Sequence, residues 1–430
     1  MSTFVERLWA PSDSSAGVYS RADKVAGRYF AYVPDELGDA LPVLSDVART
    51  EAEDALTVLG RADERIGRRG RLLNHLLIRS ESISSSWIEG NRVTPKQLAI
   101  AEALSFGSRV ARDVVANVHA TEAAIATLAD PSRPITVRDV VDLQHTIEPR
   151  LEWGLRTEQN WVGGPGWSPL RAEFVPPPES EVPRLVEDFA RFVTDTRGNP
   201  VVRAAIAHAQ FETIHPFVDG NGRTGRAFIH TVLRRAGALR NILIPISTVF
   251  AGSPNDYIGG LTVYRADPPN LDDWVIGFSV AARSAAQNSV KLADAVELVD
   301  ARLAERLEAF RRSVGRNPVA PRSDSVVKRM LEGLSGTPVL TREGVARQFE
   351  CSSTAAFNAL TELADAGVLS RKKDPHGRLL RWTSDWHLDL VAHVERSNRV
   401  GAGDTAIQRP RLGPPAPAVH PSQSPPGLSL

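Results

Sequence analysis

Residues 215–226 read HPFVDGNGRTGR, and this stretch constrains the fold more tightly than any other. Apolar helical sequence leads into it (AAIAHAQFETI, 204–214) and out of it (AFIHTVLRRAGAL, 227–239). It therefore reads as a glycine-rich loop between two buried helices, feeding the second at its N-terminus. Gly220, Gly222 and Gly225 permit positive φ and a close approach of backbone to ligand. Successive N–H groups with a helix dipole behind them make an anion cradle. Arg223 and Arg226, one turn apart, can reach the same anion. His215 offers a base of near-neutral pKa, and Asp219 a hard oxygen donor suited to Mg²⁺. Phosphoryl or nucleotidyl transfer to a hydroxyl needs such a set, because its catalysis is mostly positioning and charge neutralisation. A metal site of His208, His215 and Asp219 is the competing reading, but no further ligand is evident. No Gly-Lys-Ser/Thr follows, so the loop is not a Walker A motif.

The rest of the composition sets bounds. A chain of 430 residues, 42% hydrophobic and 24% charged, can build two or three domains with real cores. Net charge is zero, so no whole-chain field argues for nucleic acid or membrane. The lone cysteine, Cys351, excludes an internal disulfide and fits a cytoplasmic location. No signal peptide is evident, and no apolar run is long enough to span a bilayer.

Helical patterns dominate from about residue 42 to 315, interrupted by WVGGPGWSPLRAEFV (161–175), which reads as a turn-rich loop or short hairpin. Residues 322–390 follow the order helix, helix, helix, hairpin with a DPHG turn, the pattern of a winged helix-turn-helix. On its wing, Arg371, Lys372, Lys373, Arg378 and Arg381 against Asp374 concentrate positive charge, so DNA and a docking partner are both candidate ligands. A Pro/Gly/Ser tail ends the chain.

HPFVDGNGRTGR resembles the Fic-domain pattern HxFx(D/E)GNGRxxR at each defined position: His215, Phe217, Asp219, Gly220, Asn221, Gly222, Arg223 and Arg226. The resemblance implies a mainly α fold: a Fic-type helical core with a short β-hairpin flap, here with an added C-terminal winged helix. It implies a protein adenylyltransferase that moves AMP from ATP, with Mg²⁺, to a Ser, Thr or Tyr hydroxyl of a target protein or of itself. His215 would take the hydroxyl proton, Phe217 would anchor the loop, and Asp219 would hold Mg²⁺. Gly220, Asn221, Gly222 and Arg223, with Thr224 and Gly225 beside them, would bind the phosphates, and Arg226 the γ-phosphate. RTEQNWVGG (156–164) and FVPPP (174–178) look like the flap that registers a target segment by strand addition.

Upstream, SSWIEGN resembles the family's inhibitory motif (S/T)xxxE(G/N), with Ser85, Glu89 and Gly90 at its defined positions. Ser85 and Glu89 are spaced i, i+4 and share a helical face. The resemblance implies that Glu89 pairs with Arg226 and takes the place of the γ-phosphate. The expected layout is residues 1–105 as an N-terminal helical region carrying the inhibitory helix (about 71–90), and 106–290 as catalytic core. Residues 291–321 follow as helix and linker, 322–395 as winged helix and 396–430 as disordered tail. Alternatives are a DNA-binding regulator with a nucleotide-sensing core, transfer of another nucleotide such as UMP, and removal of AMP from modified protein.

Overall fold

The computed structural model describes residues 2–10, 25–67, 71–164, 168–373 and 380–397, and it is mainly helical. The chain nevertheless opens in two antiparallel strands, β1 (Thr3–Trp9) and β2 (Gly27–Val33), paired from Thr3↔Val33 to Trp9↔Gly27. This departs from the helical region expected for residues 1–105. The reason is a period of two: Tyr29 and Ala31 are buried while Arg28 and Phe30 are exposed, an alternation that only a strand can use. Helix begins with α1 (Asp46–Gly67), α2 (Arg71–Ile88), α3 (Pro95–Leu104), α4 (Arg109–Thr127) and α5 (Val137–Ile147). After the flap segment come α6 (Val182–Asp195), α7 (Pro200–Ile214), α8 (Asn221–Arg235), α9 (Ser247–Gly252), α10 (Pro254–Tyr264) and the 43-residue α11 (Leu271–Ser313).

Helix α7 is the centre of this bundle. Every residue from Val201 to Ile214 is buried, as expected of a helix that is largely apolar all round. Asn199 caps it by accepting from the Val201 and Val202 N–H groups, and Pro200 sits at its first position, where no N–H is needed. Helices α1, α6, α8 and α11 pack around it. Phe189, Phe211 and Phe228 form an aromatic cluster with ring centroids 5.1–5.8 Å apart, and Phe217 of the loop lies 6.3 Å from Phe211. Phe217 is 1% exposed, so Phe217→Ala is expected to lower the unfolding free energy by about 3–5 kcal/mol. Chemical denaturation would measure it.

The C-terminal segment contains α12 (Val326–Gly333), β3 (Val339–Leu340), α13 (Arg342–Gln348), α14 (Ser353–Asp365), β4 (Ser370–Lys373), β5 (Leu380–Thr383) and α15 (Asp385–Ser397). Its sheet has the order β3-β5-β4, antiparallel throughout. The three helices and the paired strands expected here are present, with β3 as an addition. The turn Asp374–Gly377, together with Arg378, lies outside the described residues, as does the tail from 398. Met330, Leu360 and Trp382 share a core with Leu303 and Leu307 of α11. Ala99 of α3 packs with Val339 and Leu388, and Arg79 of α2 donates to Gly336 O at 2.7 Å, so this segment leans on the helices beside the site. No described helix is long and apolar enough to cross a membrane.

Candidate functional site

The loop between α7 and α8 is held by its own side chains. Asn221 Oδ1 accepts the Phe217 N–H at 2.9 Å, and Asn221 Nδ2 donates to Phe217 O at 2.8 Å. Thr224 Oγ1 donates to Gly220 O at 2.8 Å. Phe217 is buried, as a loop anchor should be, and the Asn221 and Thr224 side chains, expected beside the phosphates, are buried in the loop's own bonding. These bonds hold the loop's shape. Of the three glycines only Gly220 uses positive φ (+81°), as the cap of α8. Gly222 and Gly225 are helical and needed for space. A Cβ at 222 would lie 2.4 Å from Glu89 Oε1, and one at 225 would lie 2.7 Å from Glu212 Oε1. With glycine as the cap, no side chain bonds to the first turn of α8, which leaves its N–H groups open to an anion.

Arg223 and Arg226 are both 2% exposed at the side chain, and both point at one carboxylate. Glu89 Oε1 accepts from Arg226 Nη2 at 2.8 Å, and Glu89 Oε2 accepts from Arg223 Nε at 2.5 Å. Arg226 also donates from Nε to Ser85 Oγ and from Nη2 to Ser85 O, each at 2.8 Å. The expected Glu89–Arg226 pair is thus half of a clasp that closes over Arg223 as well. Burial alone would raise the Glu89 pKa; the two guanidiniums overcome it and hold the carboxyl below its usual range. Arg223 has a second partner that no spacing in the sequence announced: Glu148, at the end of α5, accepts from Nη1 at 2.6 Å. Ser85→Ala removes one bond to a charged group, worth about 1.5–3 kcal/mol, from the clasp. Its effect should be about half that of removing Glu89, readable as a smaller fall in unfolding temperature.

The run of three serines also has an explanation. Ser84, Ser85 and Ser86 are 6%, 2% and 1% exposed, and small side chains let α2 lie close to its neighbours. Asn117 of α4 donates to Ser82 O at 3.3 Å and to Ser86 Oγ at 3.4 Å. Glu81, one turn before Ser85, is buried; it accepts from the Ser247 N–H at 3.0 Å and faces His230 Nε2 at 3.1 Å. Helix α2 is therefore pinned by polar contacts along its length, of which the sequence marked only the last.

His215 caps α7 in the left-handed region (φ +48°) and bonds from its N–H to Phe211 O at 2.9 Å. Its carbonyl accepts from Arg156 Nε at 2.9 Å and from Asn160 Nδ2 at 3.2 Å, which holds this uncommon backbone in place. Burial, and next the Arg156 and Arg265 charges, lower its pKa to about 3 rather than leaving it near neutral. The ring is neutral at pH 7. Asp219, by contrast, has a side chain 66% exposed, with Oδ1 accepting from the Gly220 N–H at 2.6 Å and lying 3.6 Å from Arg223 Nη2.

The flap expected as a hairpin is a single antiparallel bridge, Val162↔Phe174, with residues 165–167 outside the described set. Its bracing comes from the N-terminal strands: Tyr32 N–H donates to Val175 O at 2.9 Å, and Trp9 meets Trp161 edge to face at 5.5 Å. Gly90, with φ +84°, closes the helix after Glu89, and no atom lies within 4 Å of where its Cβ would be. His208, considered as a metal ligand, instead bonds through Nε2 to Tyr257 Oη at 2.9 Å in the core. No group of three or more His, Cys, Asp or Glu among the described residues could hold a metal ion.

Fold and loop together define the class: a mainly helical domain built around a glycine-rich turn that caps one helix and opens another. Residues 134–233 match the model of the Fic/DOC family, and the chain carries a Fic domain. It is 34% identical over 110 residues to the proteins named protein adenylyltransferase Fic of Drosophila sechellia and Drosophila melanogaster. That alignment takes in 24% of this chain, and the chain spans 20% of the length of these relatives. Among solved structures it is similar to a Fic family protein from Desulfovibrio desulfuricans G20 (19% identity, TM-score 0.47, 80% of this chain and 98% of that one). Fic-1 (aa134–508) from C. elegans is a second (18% identity, TM-score 0.46, 57% and 72%).

Proposed function

We propose that this protein is an autoinhibited nucleotidyltransferase that moves AMP from ATP to the hydroxyl of a protein side chain. The observation that carries the reading is the Glu89 carboxylate, bonded to both Arg223 and Arg226 beside the open N-terminus of α8. Two buried guanidiniums and uncapped N–H groups are what a polyphosphate would need, and a carboxylate of the same chain already neutralises them. Once Glu89 withdraws, Arg226 is free for the terminal phosphate and Arg223 for an inner one. The hydroxyl oxygen of the target attacks the α-phosphorus, its proton passes to His215, and pyrophosphate leaves. A neutral ring at pH 7 can accept that proton, and the phosphate charges raise its basicity when they arrive.

The donor set fits a magnesium ion that arrives with the nucleotide. Asp219 offers an exposed carboxylate beside the loop, and Mg²⁺ commonly takes one or two carboxylates with substrate phosphates and water. Bound there, the ion would neutralise phosphate charge. The target segment would add at the flap beside Val162, where recognition is by backbone pairing.

For the C-terminal segment we propose a winged helix that docks within the chain in preference to DNA. Helix α14, the third of its helices, carries no lysine or arginine. Its Glu362 is buried against Arg311 of α11 at 2.6 Å. A helix used for DNA contact would present basic groups instead.

ATP labelled at the α-phosphate, against ATP labelled at the γ-phosphate, tests the chemistry. Incorporation from the α-label alone, by the Glu89→Gly protein, is the expected result. Incorporation from the γ-label would mean phosphoryl transfer and end this reading.

A further inference from the structure

Asn160 lies on the flap segment, two residues before Val162, whose backbone pairs with Phe174. Its Nδ2 stands 3.0 Å from Phe217 O, 3.2 Å from His215 O and 3.1 Å from His215 Nδ1. Two of those three neighbours are carbonyl oxygens, which can only accept. Turning the amide over would set Oδ1 against both of them, so the NH₂ group must face the loop. The fold tolerates a penalty for this: Asn160 Oδ1 is buried with no hydrogen-bond partner. A ring nitrogen next to that NH₂ group must present its lone pair, because an Nδ1–H there would meet another donor head-on. In a neutral imidazole the proton then sits on Nε2.

Nδ1 is covered by Asn160, so a target hydroxyl can reach only Nε2, and an Nε2–H nitrogen has no lone pair to offer. The geometry points to Asn160 as a positioning residue that aims His215 and holds it in the non-basic tautomer until the flap segment draws the amide away from Nδ1. This rests on His215 serving as the base, as proposed above. On release, one proton leaves Nε2 for water and another arrives at Nδ1, with no change in charge. The Nε2 lone pair is then free for the hydroxyl proton. A target strand pairing at the flap is the event that shifts the segment, which makes the base available only when its substrate is in place. Withdrawal of Glu89 would admit the nucleotide, and withdrawal of Asn160 would arm the base.

Long-range ¹H–¹⁵N spectra of the full-length protein labelled at histidine test this, with His215 signals assigned by their loss in His215→Ala. In the wild-type protein without ligand, Nδ1 is expected at the unprotonated position and Nε2 at the protonated one. In Asn160→Ala both signals are expected to move toward the average of the two tautomers. In Asn160→Asp, whose carboxylate accepts from Nδ1–H, they are expected to exchange positions. A proton on Nδ1 in the wild-type protein overturns the proposal, as do unchanged signals in a folded Asn160 variant. If neither variant folds, the wild-type spectrum alone decides. The readout is a proton's location, so it is separate from nucleotide transfer: an inactive Glu89→Gly protein with Nε2–H refutes the transfer reading, and with it the arming of a base, while the hold of Asn160 on the His215 tautomer stands.

Discussion

Glu89→Gly is expected to raise AMP transfer from ATP about 100-fold over the wild-type protein, and to lower stability at the same time. The two effects share a cause. Each hydrogen bond from a guanidinium to Glu89 is worth about 1.5–3 kcal/mol. An incoming nucleotide must displace both, at Arg223 and at Arg226. Each ~1.36 kcal/mol of barrier is a factor of ten, so relieving about 3 kcal/mol, the low end for two such bonds, corresponds to a gain on the order of a hundredfold. The same carboxylate is what neutralises two side chains that are 2% exposed. Removing one partner of a buried ion pair usually costs about 3–5 kcal/mol, which calorimetry would read as a drop in unfolding temperature. ATP should restore part of it by binding the freed arginines. Most substitutions that destabilise a protein lower its activity, so opposite signs for the two measurements are a distinctive outcome. Activity and stability falling together would remove the inhibitory reading of Glu89.

His215→Ala, made in the Glu89→Gly background, is expected to lower the rate of transfer about 1,000-fold while leaving the ATP concentration for half-maximal rate nearly unchanged. General base catalysis typically contributes 10²- to 10⁴-fold. His215 makes no contact with Arg223 or Arg226 that nucleotide binding would need; its neighbours are Asn160 and Arg156. One complication is the backbone, because φ is +48° and alanine tolerates that region poorly. His215→Asn is the companion variant, since asparagine adopts positive φ more readily. It should keep the unfolding temperature of the parent and still lose the activity. A residual rate within tenfold of the parent would assign the base elsewhere.

The site was legible in the sequence where function depends on spacing along one element, and illegible where it depends on distant segments meeting. Arg223 and Arg226 share a turn and read as an anion-binding pair from spacing alone; Ser85 and Glu89 share a face, but resemblance to an inhibitory motif is what singled them out. Glu148 and Asn160 could not be recognised either way. They reach the loop from α5 and from the flap segment, 75 and 55 positions away from their partners, and neither has a flanking pattern that marks it. The roles within the motif were also coarser in sequence than in space. Asn221 and Thr224 were carried as nucleotide contacts, yet their side chains hold Phe217 and Gly220. The near-neutral pKa assumed for His215 did not survive its burial beside Arg156 and Arg265. At the N-terminus, the longer helical stretch from α1 onward hid the strand alternation of residues 27–33, and β1 and β2 brace the flap as a result.

Glu89, Arg223 and Arg226 form the centre of this account, and intact-mass spectrometry tests it most directly. The wild-type and Glu89→Gly proteins would each be incubated with ATP and magnesium, alone and with lysate proteins fractionated for mass analysis. The expected result is a mass increase equal to one AMP residue, on the protein itself or on a target. It should be abundant with Glu89→Gly, scarce with the wild type, and absent when His215 is also replaced. No added mass with Glu89→Gly, or an equal yield from the wild-type protein, would contradict it.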